Sequence, residues 1–337
     1  MNILIGGNGT GKSNLLSVFK MLKAQTTGRF EGYIRKNEGS MERVAYMGTA
    51  TTPIVKVKLD YGDCTYSSAL GATADGGPCF EEERFEDGKN CLVFHDGTES
   101  KFFLVKKGLP ERANAMRDEI RQWGIYHLND TSLNARVQKD CMLVPGLPLY
   151  DDFSNLASWL YFLRQKNPRA YEDINAVISL AFSEFDGFHL EPTSIVDGTE
   201  YIRLHWKQKG SSRIFAPGQL SDGTMRFICL ISALMQPSLP PLIVIDEPEL
   251  GLHTGTSYLV AETIDMISRR TQAMVATQSP DFLNYFAIDD VILVDRPHKN
   301  KDSRFSRLQE KDYSVWLEEE GVGDLWARSV IHEGPAL

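Results

Sequence analysis

The chain has 337 residues, of which 42% are hydrophobic and 24% are charged. This length allows one large α/β domain with an insertion or two domains of ordinary size, and the composition excludes a disordered or fibrous protein. The formal net charge of −9 argues against a protein that coats nucleic acid constitutively, because such binding depends on Lys and Arg side chains that neutralise phosphates.

The apolar segments and the cysteines predict a cytoplasmic protein that does not enter a membrane. The longest strongly apolar runs, residues 227–235 and 242–245, are well short of the roughly 20 residues that cross a bilayer. The N-terminal residues lack the basic and apolar regions of a signal peptide. The five cysteines are odd in number and show no Cys-x-x-Cys spacing, which indicates reduced, mostly structural thiols.

The first part of the chain predicts two kinds of structure. Residues 2–5 predict a strand, and a glycine loop then leads into an amphipathic helix over residues 12–23, which is half of a βαβ unit. Alternating runs between residues 44 and 105 are separated by turns and predict an antiparallel sheet. A helix over residues 111–123 and a strand over residues 124–128 follow.

The later part of the chain is richer in helices. Residues 153–185 predict a mostly helical stretch, and residues 201–206 predict a single strand. The last third contains predicted helices and strands in turn: helix 223–235, strand 242–245, helix 257–269, and strands 273–276 and 290–294. Such alternation is typical of a parallel sheet covered by helices.

A glycine-rich loop near the N-terminus carries the strongest chemical signal. Residues 6–13 read Gly-Gly-Asn-Gly-Thr-Gly-Lys-Ser and fit the phosphate-binding pattern G-x-x-x-x-G-K-[ST], between a strand and a helix. Backbone N–H groups of such a loop and the N-terminus of the next helix form an anion site. The residues expected to contact ATP form one run: Asn8, Gly9, Thr10, Gly11, Lys12, Ser13 and Asn14. Lys12 should reach the β- and γ-phosphates, and Ser13 should bind Mg²⁺.

A second signal is the strand over residues 242–245, which ends in the adjacent carboxylates Asp246 and Glu247. In phosphoryl transfer one acidic group holds Mg²⁺ and another group orients or deprotonates the attacking water. Asp246 suits the metal and Glu247 suits the water. The structural alternative is that both carboxylates only end a strand and cap the next helix.

A third feature is the run Leu-Ser-Asp-Gly-Thr-Met-Arg at residues 220–226, which opens an apolar helix. Ser221 is predicted as the N-cap of that helix. By itself this prediction is purely structural.

Residues 6–13, 220–226, 246–253 (Asp-Glu-Pro-Glu-Leu-Gly-Leu-His) and 276–280 (Ala-Thr-Gln-Ser-Pro) together resemble the ABC-type ATPases of the RecF, SMC and OLD group. The chain looks most like the stand-alone bacterial ATPases of that group. The resemblance implies an α/β P-loop NTPase fold. Such an ABC-ATPase head has a mixed or parallel core sheet, an antiparallel β subdomain and an inserted helical subdomain.

We expect the chain to divide into three parts on this pattern. An N-terminal lobe, residues 1–150, would hold the phosphate-binding loop (Walker A) and the antiparallel β subdomain. A helical and β insertion would occupy residues 151–215. A C-terminal lobe, residues 216–337, would hold the signature motif, the strand ending at Asp246 (Walker B) and a switch residue.

The resemblance also implies roles for specific residues. Ser221 and Gly223 would form the signature motif, which binds the γ-phosphate of ATP held by the opposite subunit of a head-to-tail homodimer. Gln278 would occupy the switch position that senses the γ-phosphate, where many relatives carry His. Glu247, Gln278 and Lys12 would then be the catalytic residues.

Two differences from the group affect these expectations. Such ATPases normally have one or two strands before the strand that leads into the phosphate-binding loop. We therefore expect either an incomplete sheet edge or a start that lies upstream. From the sequence we expect neither the long coiled coil of SMC proteins nor a C-terminal nuclease module of the OLD type.

Three functional hypotheses follow. The first is a Mg²⁺-dependent ATPase that dimerises on ATP, in DNA maintenance or phage defence. The second is a nucleotide-gated interaction module with little turnover that controls a separate nuclease or toxin. The third is an ATP-dependent DNA clamp, for which the basic runs at residues 203–213 and 298–307 are candidate contacts.

Asn129 or Asp130 would serve a loop near the metal, or would simply form a turn.

Overall fold

The computed structural model describes residues 1–126, 131–132, 134–196, 198–296 and 302–331, with the backbone alone for residues 193–196. The chain forms two compact units. The major unit comprises Met1–Ser13 and Gly124–Leu337, and the minor unit comprises Asn14–Trp123. These boundaries differ from those of the three-part division expected from the sequence. That division stays a prediction.

Both units contain β-strands, which are numbered in chain order. They are β1 (Asn2–Ile5), β2 (Val55–Tyr61), β3 (Cys64–Ala72), β4 (Pro78–Glu86), β5 (Cys91–Phe94), β6 (Gly124–Tyr126), β7 (Cys141–Met142), β8 (Phe185–His189), β9 (Pro192–Val196), β10 (Thr199–Ile202), β11 (His205–Gln208), β12 (Ile214–Phe215), β13 (Leu242–Asp246), β14 (Gln272–Thr277), β15 (Val291–Asp295) and β16 (Arg304–Arg307).

The α-helices are α1 (Lys12–Gln25), α2 (Phe30–Tyr33), α3 (Met41–Val44), α4 (Lys101–Leu104), α5 (Glu111–Gln122), α6 (Leu156–Lys166), α7 (Pro168–Ala181), α8 (Asp222–Leu234), α9 (Thr254–Ser268), α10 (Pro280–Leu283), α11 (Glu310–Leu317) and α12 (Val322–Ala327). Short turns of other helix types are the π-helix Ile34–Glu38 and the 3-10 helices Arg136–Gln138, Pro217–Gln219 and Ile288–Asp290. Within the described ranges, no helix is both long and apolar enough to span a membrane.

The core of the major unit is a six-stranded sheet with the order β16-β15-β1-β14-β13-β6. Its strands run parallel except β16, which pairs antiparallel with β15. The strand β13 is a continuous apolar run because Leu242 to Ile245 are all buried, as expected for a strand covered on both faces. Parallel strands share one carboxyl edge, so the segments that follow β1, β13 and β14 meet there.

The helix α8 lies in the core of the major unit. It is apolar on nearly all sides, and its residues from Phe227 to Leu234 are buried. Ser221 caps its N-terminus, since the hydroxyl accepts a hydrogen bond from the Thr224 N–H at 3.1 Å. This confirms the predicted N-cap. The helices α7 and α9 both pack against α8.

The predicted single strand over residues 201–206 is wrong. The chain instead forms β10 and β11, which belong to separate three-stranded sheets with the orders β7-β10-β9 and β12-β11-β8. A local turn between them, in which the His205 N–H donates to the Arg203 carbonyl at 2.9 Å, moves the chain from one sheet to the other. Side-chain alternation continues across this turn, so the sequence pattern does not reveal it.

The minor unit contains the predicted antiparallel sheet, with the order β2-β3-β4-β5. Alternate residues of β3 and β4 point into an aromatic core that includes Tyr66 and Phe85. The buried Glu83 accepts hydrogen bonds from the Tyr66 hydroxyl at 2.8 Å and the Lys101 N–H at 2.7 Å. These bonds attach the first turn of α4 to the sheet, because its N-terminal N–H groups need acceptors.

Candidate functional site

The phosphate-binding loop connects β1 to α1 with the backbone shape that its glycines allow. Gly11 has a φ of 113°, a conformation that side chains with a Cβ rarely adopt. A Cβ on Gly6 would clash with the carbonyl oxygen of Val294 at the end of β15. Thr10 closes the loop, as its hydroxyl donates to the Gly7 carbonyl at 2.9 Å. Asn8 and Gly9 are exposed at the tip of the loop.

The side chain of Lys12 lies inside the site, with 6% of the residue exposed. Its ammonium donates to the carbonyl of Gly7 at 3.1 Å and to that of Gly6. Burial lowers the pKa of Lys12, and the nearby charges of Glu247 and Asp246 act in the opposite direction. The structure therefore brings Lys12 together with both carboxylates that the sequence predicted. Ser13 and Asn14 are exposed in the first turn of α1.

Substituting Gly6 should destabilise the protein much more than the same change one residue later. A Cβ at Gly6 would meet a backbone oxygen, whereas a Cβ at Gly7 would have its nearest neighbour, the Thr10 Cγ2, at 3.8 Å. We expect Gly6→Ala to cost about 1–3 kcal/mol and to lower Tm by several degrees, because overpacked sites must shift the backbone. Thermal unfolding without nucleotide, with Gly7→Ala as the matched control, measures this. Equal Tm values for the two variants would contradict the proposed close contact.

The turn after β13 positions Glu247. Its N–H donates to the Ala276 carbonyl of β14 at 2.8 Å, and its φ of 47° is unusual for a residue with a side chain. The Gln278 side-chain amide donates to the Glu247 carboxylate at 2.5 Å. The carboxylates do not cap the next helix, because His253 is the N-cap of α9. The structural alternative was that Asp246 and Glu247 only end a strand and cap the next helix. Its prediction of the helix cap is therefore wrong.

Glu249 is a site residue that the sequence analysis missed. Its carboxylate accepts a hydrogen bond from the Thr277 hydroxyl at 2.5 Å, and that hydroxyl accepts one from the Ser279 N–H at 3.0 Å. Burial raises the pKa of Glu249. These bonds join the loop after β13 to the loop that carries Gln278. The only signal in the sequence was the second Glu of the Asp-Glu-Pro-Glu run.

The start of α8 packs against the loop that follows Glu249. A Cβ on Gly223 would lie 2.5 Å from the Gly251 carbonyl oxygen, so only glycine permits this contact. Burial lowers the pKa of Arg226 in the second turn of α8, while nearby acidic groups, Glu247 among them, raise it. Ser221 itself is exposed, and its described hydrogen bonds are with Thr224. The described residues show no hydrogen bond between Ser221 and the phosphate-binding loop of the same chain.

The oxygen-bearing residues at this edge suit Mg²⁺. Ser13 offers a hydroxyl and Asp246 a carboxylate, and such hard oxygen ligands are the ones that Mg²⁺ prefers. Among the residues with described structure, no group of three or more His, Cys, Asp or Glu side chains could hold a metal unaided.

Two of the weaker predictions fall partly or wholly outside the described residues. Asn129 and Asp130 lie outside them, as do residues 298–301 of the second basic run. In the first basic run, the Arg203 guanidinium donates to the Gln138 carbonyl at 2.9 Å, and the Lys209 ammonium donates to the Ser183 carbonyl at 2.8 Å.

Comparisons with known proteins match part of the chain to a family. Residues 126–284 match the family described as "AAA domain, putative AbiEii toxin, Type IV TA system". No curated protein matches the chain significantly. Together with the parallel core sheet, the family match confirms the predicted α/β P-loop NTPase fold class.

Solved structures similar to the chain include three SMC heads. The SMC head domain from Thermotoga maritima is 15% identical, with 91% of this chain and 90% of that chain covered and a TM-score of 0.41. An SmcHead bound to the C-winged helix domain of ScpA is 13% identical, with coverages of 92% and 91% and a TM-score of 0.46. The Smc head with an extended coiled coil bound to the C-terminal domain of ScpA, derived from Pyrococcus furiosus, is 13% identical, with coverages of 94% and 92% and a TM-score of 0.48.

Proposed function

We propose, from the match of residues 126–284 to this AAA domain family and from the motifs of the sequence, that the protein is a Mg²⁺-dependent ABC-type ATPase. We further propose that it dimerises head to tail on ATP and acts in the cytoplasm. The observation that carries the proposal is the buried Lys12 ammonium, which donates to loop carbonyls and is near enough to Glu247 and Asp246 for their charges to raise its pKa. A cation held there is suited to the phosphates of a nucleotide.

The residues at the carboxyl edge divide the chemistry between them. The loop N–H groups and Lys12 bind the phosphates, and Ser13 with Asp246 would hold Mg²⁺, which when bound neutralises charge on the phosphate oxygens. Glu247 orients a water for attack on the γ-phosphate and accepts its proton. Gln278 holds the Glu247 carboxylate in place through its 2.5 Å hydrogen bond, and we assign it the switch position that senses the γ-phosphate.

The head-to-tail dimer rests on the position of Ser221. This residue is exposed at the N-terminus of α8, where N–H groups and the helix dipole favour an anion. Its described bonds stay within the first turn of α8, so it is available to the ATP of a second subunit. Leu250, in the loop against which α8 packs, is 50% exposed and suits a place in the seam between subunits.

A second candidate function has a specific observation in its favour. The description of the matched family names a putative AbiEii toxin and a type IV toxin–antitoxin system. The description supports a toxin–antitoxin setting, and the role that we propose within it is control of a separate nuclease or toxin effector by the ATP-bound form, with little turnover. DNA maintenance and phage defence are both compatible with such a gate, and an ATP-dependent DNA clamp is a third proposal.

Specific ATP turnover as a function of protein concentration tests the proposed function. With Mg²⁺ present, we expect the rate per subunit to rise with concentration and then reach a plateau, because the active form is a dimer. Lys12→Ala is the control, and it should abolish turnover at every concentration. A slow rate that is flat with concentration but still depends on Lys12 would favour the nucleotide-gated module. Turnover that is unaffected by Lys12→Ala would contradict the ATP site itself.

A further inference from the structure

A serine from the far end of the chain lies on the phosphate-binding loop. Ser303 is the residue before β16, and its hydroxyl donates a hydrogen bond to the Thr10 carbonyl at 2.5 Å. The two residues are 293 positions apart in the sequence. A Cβ on Gly11 would also clash with the Ser303 hydroxyl oxygen, so Ser303 lies against two consecutive residues of the loop. Ser303 has no part in the phosphate-binding pattern or in the roles proposed for the ATP site.

The order of the strands brings Ser303 to this place. β15 pairs in parallel with β1, and Leu293 lies opposite Ile5, the last residue of β1 before the loop. β16 pairs antiparallel with β15, and its first residue, Arg304, lies opposite Asp295. Ser303 therefore lies at the same edge of the sheet at which the phosphate-binding loop leaves β1.

Three hydrogen bonds hold Thr10 in the loop. Its N–H and its hydroxyl both donate to the Gly7 carbonyl, at 3.4 Å and 2.9 Å. These two bonds lie within the loop itself and fix the N–H and the side chain of Thr10. The third bond, from the Ser303 hydroxyl to the Thr10 carbonyl, is the one that comes from outside the loop.

The Thr10 carbonyl belongs to the peptide group that joins Thr10 to Gly11. In a planar trans peptide the carbonyl and the N–H point in opposite directions. Because the carbonyl is turned toward Ser303, the Gly11 N–H is turned away from it. Backbone N–H groups of this kind surround the phosphate in a glycine-rich loop. No described residue accepts a hydrogen bond from the Gly11 N–H, so this donor is available to a phosphate oxygen.

Without Ser303, this peptide group could turn over at little cost. Such a turn changes mainly ψ of Thr10 and φ of Gly11, so the rest of the loop stays in place. Gly11 has a φ of 113°, and glycine adopts positive and negative φ values about equally readily. The turned peptide would present its carbonyl oxygen to the phosphates, and the partial negative charge of that oxygen would repel them.

We propose that Ser303 is a positioning residue for nucleotide binding, whose hydroxyl holds the Thr10–Gly11 peptide with the Gly11 N–H turned toward the phosphates. This inference rests on the proposed function, because it concerns the ATP that the loop is proposed to bind. Ser303 acts only through the Thr10 carbonyl and touches neither the base nor the ribose. Its effect should therefore be the same for ATP and for a phosphate chain without a nucleoside.

Three variants test the role of the hydroxyl. Ser303→Ala removes the hydrogen bond to the Thr10 carbonyl, whereas Ser303→Thr keeps a hydroxyl at the same position and should preserve the bond. Ser306→Ala is the matched control, because Ser306 is an exposed residue of β16 whose side chain makes no hydrogen bond among the described residues. Thermal unfolding without nucleotide shows that each variant is folded.

Isothermal titration calorimetry with Mg²⁺ measures the binding of ATP and of inorganic tripolyphosphate. We expect Ser303→Ala to weaken the binding of both ligands by about three-fold to ten-fold, which corresponds to one hydrogen bond. Ser303→Thr and Ser306→Ala should bind both ligands within about two-fold of wild type. The Tm of Ser303→Ala without nucleotide should stay within about 3 °C of wild type, because the Ser303 side chain is exposed.

Three results would overturn this inference alone. A loss of less than about three-fold for both ligands in Ser303→Ala would show that the Thr10 carbonyl needs no anchor. Weaker ATP binding with unchanged tripolyphosphate binding would place Ser303 against the base or the ribose. A loss that Ser303→Thr shares would show that the hydroxyl is not the group that matters. The proposed function fails, and this inference with it, if wild type binds neither ligand or if Lys12→Ala binds both as tightly as wild type.

Discussion

Glu247→Gln should lower ATP turnover by a factor of about 10²–10⁴ and leave ATP binding within a few-fold of wild type. The amide has nearly the same size as the carboxylate, but it cannot accept the proton of the attacking water. It can still accept the hydrogen bond from Gln278 through its oxygen, so the turn after β13 should keep its shape. The loss should therefore appear in the chemical step and not in folding.

This variant should also accumulate as a dimer when ATP and Mg²⁺ are present, since in the proposed cycle turnover reopens the dimer. Single-turnover hydrolysis and size-exclusion chromatography with ATP measure the two effects. Glu262→Gln is the matched control, because Glu262 is exposed on α9 and bonds only to Tyr258 among the described contacts. Wild-type turnover in Glu247→Gln would remove Glu247 from the role of general base.

Ser221→Asp should abolish turnover without destabilising the protein. Asp is as good an N-cap as Ser and interacts favourably with the helix dipole, so the start of α8 should remain intact. Its negative charge, however, would repel the γ-phosphate that the partner subunit presents. We expect turnover to fall by about 10²-fold or more, while the Tm stays within a degree or two of wild type.

Mixing Ser221→Asp with Lys12→Ala tests whether the site is shared between subunits. Each variant alone should be inactive, because both of its sites contain the defect. A mixed dimer has one intact site, formed by Lys12 of one subunit and Ser221 of the other. An equal mixture should therefore recover about a quarter of wild-type turnover, since about half of the dimers are mixed and each has one working site of two. No recovery, although both variants bind each other, would place Ser221 outside the composite site.

The features that the sequence predicted are those that depend on residues close together along the chain. The phosphate-binding loop was predictable because glycines, Lys12 and Ser13 act through neighbouring backbone, in a strand–loop–helix context that the sequence also carries. The N-cap at Ser221 was predictable for the same reason, since a cap involves residues three apart. The helices and strands of the last third followed from their periodicity to within a few residues.

What only the tertiary structure decided involves residues that are distant along the chain. The Glu249–Thr277 bond joins residues 28 positions apart, and no local pattern specifies which polar groups meet across two loops. The switch between sheets at Arg203 depends on how β8, β10, β11 and β12 pair. Strand pairing is set by packing and burial over the whole unit, whereas sequence periodicity reports only which face of one strand is apolar. By itself the sequence therefore determined the strand–loop–helix around residues 6–13, the cap at Ser221 and most of the elements, and the tertiary structure decided which side chains share a site.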